Sequence, residues 1–196
     1  MNGILTNSTA IAAGDYNEIA GDEGVYLDSI GQVGLAGIGR TEDSGLKRFV
    51  WNMYNRVVRS LVVTDPTASW TYATNTFRQA NASAANQVEI VTGLDEECIN
   101  LTVMCSIRPV TTATNAQLTV GIGEDVTNVN NGNISAFVAS NSTAVIVSAF
   151  CQLTKVPTVG YHFYAWLEVA INSVDTTIFG TPSAGRASGI CGVMIG

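Results

Sequence analysis

Residues 161–171 read Tyr-His-Phe-Tyr-Ala-Trp-Leu-Glu-Val-Ala-Ile, and their side chains alternate between two faces of an extended segment. One face carries Tyr161, Phe163, Ala165, Leu167, Val169 and Ile171, and the other carries His162, Tyr164, Trp166, Glu168, Ala170 and Asn172. A period of two with this aromatic content is typical of a β-strand. The second face is half apolar and half polar, which predicts that a second subunit packs against it.

The same alternation continues over most of the chain from Ser69 onward. Roughly eight to ten short strands, separated by turn-rich pieces, follow one another without a convincing helical pattern. Strands in this number, without helices between them, form an antiparallel sandwich. The sequence therefore predicts an all-β fold, an antiparallel jelly-roll or β-sandwich domain over residues 61–196.

Residues 1–60 differ from the rest and are predicted to form an N-terminal arm that anchors the protein to a partner. Nine glycines and seven acidic residues interrupt the apolar runs before residue 46, so this stretch buries little surface on its own. Its apolar residues still exceed what an inert linker carries. The residues predicted to contact that partner are Tyr26, Leu27, Phe49 and Trp51.

The end of this arm carries apolar residues at helical spacing, which predicts one short helix over residues 45–58. Leu46, Phe49 and Val50 open the pattern, and Met53 and Tyr54 continue it. The alternative is that residues 56–63, which are rich in β-branched side chains and lead into Asp65-Pro66, already form the first strand.

The supply of catalytic and metal-binding side chains is small. The chain has one histidine, His162, and only 13% charged residues, so we expect no enzyme, no metal and no cofactor. A polysaccharide hydrolase would need paired carboxylates, and the acidic run 95–97 is more typical of a solvated loop than of a calcium site. The four cysteines show no metal spacing and are expected to be buried free thiols, with a disulfide or zinc site as the alternative. They are Cys98, Cys105, Cys151 and Cys191.

Aromatic side chains support a second interpretation, in which the protein binds sugars. Exposed tryptophan and tyrosine rings can stack on pyranose faces, although most aromatics in strands belong to a core or an interface. The candidates are Trp70, Tyr72, Tyr164 and Trp166.

Charge and hydropathy limit the partners. A net charge of −7 and a sequence pI of about 4.5 disfavour nucleic acid and an anionic membrane surface. No apolar run reaches the length of a spanning helix, and the first residues lack the pattern of a signal peptide, so we expect folding in a cytoplasm. A hydrophobic content of 46% with so few charges predicts that copies of the chain associate.

The segment Ser69–Leu94 resembles accessory virion proteins of tailed bacteriophages, and the similarity continues weakly through residues 120–125. Its recognisable positions are Trp70, Tyr72, Arg78, Asn81, Asn86 and Gly93. The resemblance implies a β-sandwich or jelly-roll knob, usually trimeric, that is attached to a head or tail by its N-terminal part. It brings no catalytic residues.

The short N-terminal region leaves no room for a fibre shaft. The expected function is therefore that of a capsid cement or decoration protein, a homotrimer located on the virion after assembly in the host cytoplasm. Its expected partners are itself and the major capsid protein or another virion protein. The alternative is a receptor- or sugar-binding knob of a head or tail fibre that recognises a host surface glycan.

Overall fold

A computed structural model describes residues 16–19, 23–26, 44–52, 56–93, 95–110, 116–181 and 187–196. These residues form β-strands and one short 3₁₀ turn, Ala80–Ala82. In chain order the strands are β1 (Tyr16–Ile19), β2 (Glu23–Tyr26), β3 (Lys47–Arg48), β4 (Val50–Asn52), β5 (Val58–Thr64), β6 (Ser69–Tyr72), β7 (Arg78–Gln79), β8 (Gln87–Thr92), β9 (Ile99–Pro109), β10 (Ala116–Glu124), β11 (Ile134–Ala136), β12 (Val138–Ser140), β13 (Val147–Lys155), β14 (Gly160–Ala170), β15 (Thr176–Phe179) and β16 (Gly189–Ile195). The described residues include no apolar helix of membrane-spanning length.

Two large sheets form a sandwich, which confirms the predicted fold class. The six-stranded sheet has the order β12-β10-β14-β8-β3, with β7 also paired to β14. The seven-stranded sheet has the order β11-β13-β9-β15-β6, with β16 paired to both β9 and β5. From β8 to β15 consecutive strands alternate between the two sheets, a course consistent with a jelly roll. A separate three-stranded sheet, β1-β2-β4, involves the N-terminal region.

The core lies between the two large sheets. Alternate residues of β9 and β10, among them Leu101, Ile107 and Ile122, are fully buried there. The largest buried side chains are Trp166 and Tyr164 of β14. Strand β14 is the most buried strand because it lies in the middle of its sheet, between β10 and β8.

The predicted second face of β14 is not a subunit interface, so that prediction was wrong. Tyr164 and Trp166 belong to the core of their own chain, and the Trp166 ring meets Trp70 of the opposite sheet edge-on at 5.8 Å. The other face is also closed, with Ala165 and Leu167 fully buried. A half-polar strand face is compatible with an intramolecular core when its polar groups find partners across the sandwich.

The helix predicted over residues 45–58 is also wrong for the described residues of that range, 45–52 and 56–58, which contain β3, β4 and the start of β5. Strand β3 pairs in parallel with the edge of β8, and Glu89 donates its backbone N–H to the Leu46 carbonyl at 3.1 Å. Pairing with an open sheet edge outweighs a weak helical preference. The alternative reading of 56–63 as a strand is confirmed by β5.

Candidate functional site

A buried carboxylate joins the two sheets near one end of the sandwich. Glu168 of β14 is fully buried, and its Oε1 accepts hydrogen bonds from Arg78 Nε at 2.8 Å and from the backbone N–H of Asn81 at 3.2 Å. Arg78 Nη2 lies 2.8 Å from the same oxygen. Trp70, on the seven-stranded sheet, donates its indole N–H to Oε2 at 2.8 Å. Glu168 therefore connects side chains from both sheets.

A second carboxylate, Asp65, continues this arrangement beyond β5. Its Oδ2 accepts from the amides of Asn86 at 2.6 Å and Asn81 at 3.1 Å, and its Oδ1 accepts from the backbone N–H of Thr67 at 2.8 Å. Asn86 also donates to the Ala80 carbonyl at 2.8 Å. Asn81 has φ 55°, a left-handed conformation that asparagine tolerates better than most residues. We call Asp65, Trp70, Arg78, Asn81, Asn86 and Glu168 the polar lock.

The two carboxyl groups of the polar lock differ in their electrostatics. Burial raises the pKa of Glu168 above its ordinary 4.5, and the opposing hydrogen bonds and charge from Trp70, Arg78 and Asn81 only partly offset it. Burial acts the same way on Asp65, but hydrogen bonds from Asn86, Thr67 and Asn81 outweigh it and hold its pKa below 3.8.

The polar lock has the properties of a structural element. Glu168 is inaccessible, and its two oxygens are enclosed by hydrogen bonds from Trp70, Arg78 and Asn81. Arg78 also stacks on the ring of Tyr72 at 3.9 Å. Five of the six positions singled out in residues 69–94, namely Trp70, Tyr72, Arg78, Asn81 and Asn86, contact one another or the same carboxylates. The sixth, Gly93, lies in the bend after β8.

The predicted sugar-binding platform is not formed. Tyr164 and Trp166 are fully buried, so their ring faces are closed to a ligand. Trp70 and Tyr72 are half-buried and engaged in the polar lock, and the Tyr72 hydroxyl donates to the Thr76 carbonyl at 2.7 Å. The alternation of side chains correctly predicted that these aromatic residues lie in strands. It did not predict which side of the sheet is covered by the rest of the chain.

His162 occupies a buried position with hydrogen-bonding partners of its own. Its Nδ1 lies 2.8 Å from Asp125 Oδ2, and its Nε2 lies 2.9 Å from the Thr158 carbonyl. Asp125 also accepts the backbone N–H of Phe163 at 3.0 Å. These contacts hold the loop after β10 against the start of β14.

The acidic loop at 95–97 contacts an arginine. Glu97 forms an ion pair with Arg56, and Glu96 lies 3.8 Å from the same guanidinium. Within the described ranges no cluster of three or more histidine, cysteine, aspartate or glutamate side chains could hold a metal ion. Arg56 links this loop to the residue stretch that precedes β5.

The four cysteines are free thiols, but only two of them are buried as the sequence predicted. Burial raises the pKa of Cys105 well above its ordinary range and that of Cys151 to about 11. Cys98 and Cys191 are exposed.

These environments predict thiol reactivity, because the thiolate is the reacting species and needs access to the reagent. We expect Cys105 and Cys151 to be inert to a thiol-specific disulfide reagent in the native protein and Cys98 to react readily. All four should react in denaturant. Mass spectrometry of the labelled peptides checks this, and rapid native labelling of Cys105 would contradict the placement of β9.

The predicted anchor residues separate into three cases. Phe49 is fully buried, with its ring 6.2 Å from that of Tyr161, so it stabilises the chain's own fold and the prediction of a partner contact was wrong. Tyr26 and Trp51 take strand positions in β2 and β4 of the three-stranded sheet. Leu27 lies outside the described residues.

Among the described residues, the outer surface of the seven-stranded sheet is exposed, and over five adjacent strands it carries one charged side chain, Arg108, near the end of β9 where that strand pairs with β15. The part of this surface up to Ser106 of β9 carries no charged side chain. Large apolar side chains stand exposed on it, including Val62, Met104 and Phe150, at 51%, 50% and 41% exposure. We call this surface the uncharged face; it consists of Val58, Ser60, Val62 and Thr64 of β5, Gly189, Cys191, Val193 and Ile195 of β16, Asn100, Thr102, Met104 and Ser106 of β9, Ser148, Phe150, Gln152 and Thr154 of β13, and Ile134 and Ala136 of β11.

The uncharged face was missed by sequence reasoning, which looked for the interface on β14. The sequence does carry a signal, because the uncharged residues of this face alternate with other residues along each strand. Which of these strands lie side by side, however, depends on strand order.

No protein-family model matches the chain, and no curated protein matches it either.

Proposed function

We propose that the protein is a structural subunit that associates with copies of itself and with the protein lattice of a virus capsid, as a cement or decoration protein. The observation that carries this proposal is the uncharged face. A solvated sheet face normally carries charged residues, and a continuous surface without them is typical of contact with protein. The net charge of −7 resides elsewhere on the chain.

The capsid is proposed as the partner lattice because residues 69–94 resemble accessory virion proteins. The proposal places the protein on the virion, assembled in the host cytoplasm, with a homotrimer as the expected oligomer. Its chemistry is structural, and a polar lock whose carboxylate is fully enclosed supports a stability role for the residues that carry the resemblance.

The alternative of a receptor- or sugar-binding knob has two fewer candidate sugar contacts, because Tyr164 and Trp166 are fully buried. Stacking on a sugar requires an exposed ring face.

Deletion of residues 1–43 tests the role of the arm. The cut falls before Ser44 because Val62 donates its backbone N–H to the Gly45 carbonyl at 2.6 Å and Phe49 is fully buried, so residues 44–49 pack against the sandwich. We expect the shortened protein to keep its β-sheet circular dichroism spectrum and its oligomeric mass while losing capsid binding.

The measurement is co-sedimentation with capsids assembled from the major capsid protein of the same genome. Full-length protein is the reference, and the melting curve of the shortened protein is the control for folding. Equal binding by both proteins would contradict attachment through the arm. Absence of binding by the full-length protein would contradict the capsid as the partner.

A further inference from the structure

In one row of the uncharged face, a side chain protrudes on one side of β9 and a depression lies on the other side. In the strand register Met104 of β9 pairs with Phe150 of β13 on one side and with Gly189 of β16 on the other. Phe150 projects from the sheet with 41% exposure, whereas Gly189 has no side chain. Since neighbouring strands lie about 4.8 Å apart, the phenyl ring and the glycine are about equally far from β9.

The depression at Gly189 is a cavity of about 180 Å³. Its lining includes Val62, Thr64, Met104 and Cys191, together with Ala187 and the backbone around Gly189. Cavities of about 150 Å³ with apolar walls take up benzene, so the depression is large enough for a phenyl ring.

We propose that two copies of the chain pair face to face through the uncharged face, with Phe150 of each copy seated in the Gly189 cavity of the other. A two-fold axis in the plane of the interface and parallel to β9 exchanges the two sides of that strand. It therefore places Phe150 of each copy over the cavity of the other, once on each side of β9. This is the self-complementary arrangement that an isologous dimer requires.

Charge favours a second copy as the occupant. Each copy has a net charge of −7, so two copies repel one another least when they meet through surfaces without charged side chains. The residues of the uncharged face bring no charged side chain of their own into the contact, and the next outward side chain of β9, Arg108, lies two residues beyond Ser106. A basic partner would instead be attracted to the acidic surfaces elsewhere.

The area is adequate for a stable contact. Five strands at about 4.8 Å spacing and about 20 Å length cover a flat area of roughly 500 Å². Because side chains project from the sheet, the accessible area is larger than this flat area and approaches the roughly 800 Å² that each partner buries in a standard interface. Together with the three-fold contact expected from the resemblance, two-fold pairing would give hexamers.

The inference rests on the proposed function only in requiring that copies associate, and it is tested without capsids. Phe150→Ala removes the protruding ring, and Phe137→Ala is the matched control, since Phe137 is 57% exposed but lies in the connection between β11 and β12. Because each substitution acts twice in a two-fold contact, we expect Phe150→Ala to weaken pairing by about a hundredfold. Phe137→Ala should leave it unchanged.

Sedimentation velocity across a dilution series measures the pairing. The pairing is supported if the protein has a mass of two or six chains that decreases on dilution. The Phe150→Ala variant should then dissociate at a higher protein concentration than the Phe137→Ala variant. A mass of one or three chains at every concentration would overturn it, as would equal effects of the two substitutions. Retained melting temperature in both variants shows that they fold.

Cys191, which lines the cavity, gives an independent readout. We expect its labelling rate to fall as protein concentration rises, while that of Cys98 stays constant as the internal reference. A Cys191 thiol that is protected even in the monomer would overturn the inference, because a segment of its own chain would then cover the face. A rate independent of concentration in a sample that sediments as an oligomer would overturn it equally.

Discussion

A Trp166→Asp variant is expected to be unfolded. Trp166 is fully buried in the core, where its ring meets Trp70 edge-on at 5.8 Å. Loss of a buried tryptophan side chain costs about 3–5 kcal/mol, and an unpaired carboxylate in its place adds about as much again. The sum approaches or exceeds the whole stability of a typical domain, about 5–15 kcal/mol. Near-ultraviolet circular dichroism and hydrogen exchange of the purified variant measure the loss.

Trp166→Phe is the matched control for this substitution. The indole N–H of Trp166 is buried without a hydrogen-bond partner among the described residues, so its removal breaks no hydrogen bond there. The phenylalanine variant should fold with a moderate loss of stability from the smaller ring. A folded Trp166→Asp protein that merely dissociates into monomers would contradict the intramolecular packing of β14.

An Arg78→Met variant is expected to lose about 3–5 kcal/mol in the free energy of unfolding. The methionine cannot pair with Glu168, whose carboxylate would remain buried without its cationic partner. Denaturant titration monitored by tryptophan fluorescence measures the loss, because Trp70 donates to the same carboxylate.

Two further variants separate the lost ion pair from the lost side chain. In the Arg78→Met/Glu168→Gln double variant the uncompensated charge is gone, so stability should recover in part. Arg108→Met is the control for an arginine on the surface, where Arg108 lies 5.2 Å from the Phe179 ring, and should cost about 0.5 kcal/mol. Equal losses at Arg78 and Arg108 would show that the polar lock contributes little.

The raised pKa of Glu168 also sets a dependence on pH. At a pH between the ordinary glutamate pKa of 4.5 and the raised pKa of Glu168, the folded protein retains a proton that the unfolded chain releases. The unfolding free energy therefore falls as pH rises through this window. Glu168→Gln should make the stability profile flatter there. Asp65 acts in the opposite sense, since its lowered pKa contributes stability that is lost as pH falls below 3.8.

The sandwich could be predicted because its dominant signal is local. Alternation in residues such as 161–171 depends only on the period of the strand, and the structure has β14 over Gly160–Ala170. Which face of β14 is covered, and by what, depends on strand order, and this is not encoded in any single strand. Trp166 was predicted at a subunit interface or on a sugar-binding surface, and it lies instead in the core of its own chain.

The helix prediction failed for a related reason. Apolar residues at Leu46, Phe49 and Val50 fit a helical stripe, but the edge of β8 was available for pairing, and Lys47 and Arg48 pair with it in parallel. A local pattern of two turns does not report on a sheet edge supplied by residues 87–92.

The polar lock shows what residue types alone can identify. Trp70, Arg78 and Asn81 were recognised as part of a pattern, but the residue that they all contact, Glu168, lies more than about 80 residues further along the chain. Long-range hydrogen bonds of this kind leave no signal in spacing. The uncharged face is hidden in the same way, since β5, β16, β9 and β13 become neighbours only in the fold.

The central claim is that the protein is a component of a virus particle, and gold labelling tests it most directly. Virus particles purified from cells that express the gene are labelled with a gold-conjugated antibody against the chain and imaged by electron microscopy. We predict gold on the outer surface of the capsid in regular number per particle. Particles without gold, with the protein recovered entirely from the soluble fraction of the lysate, would contradict the claim.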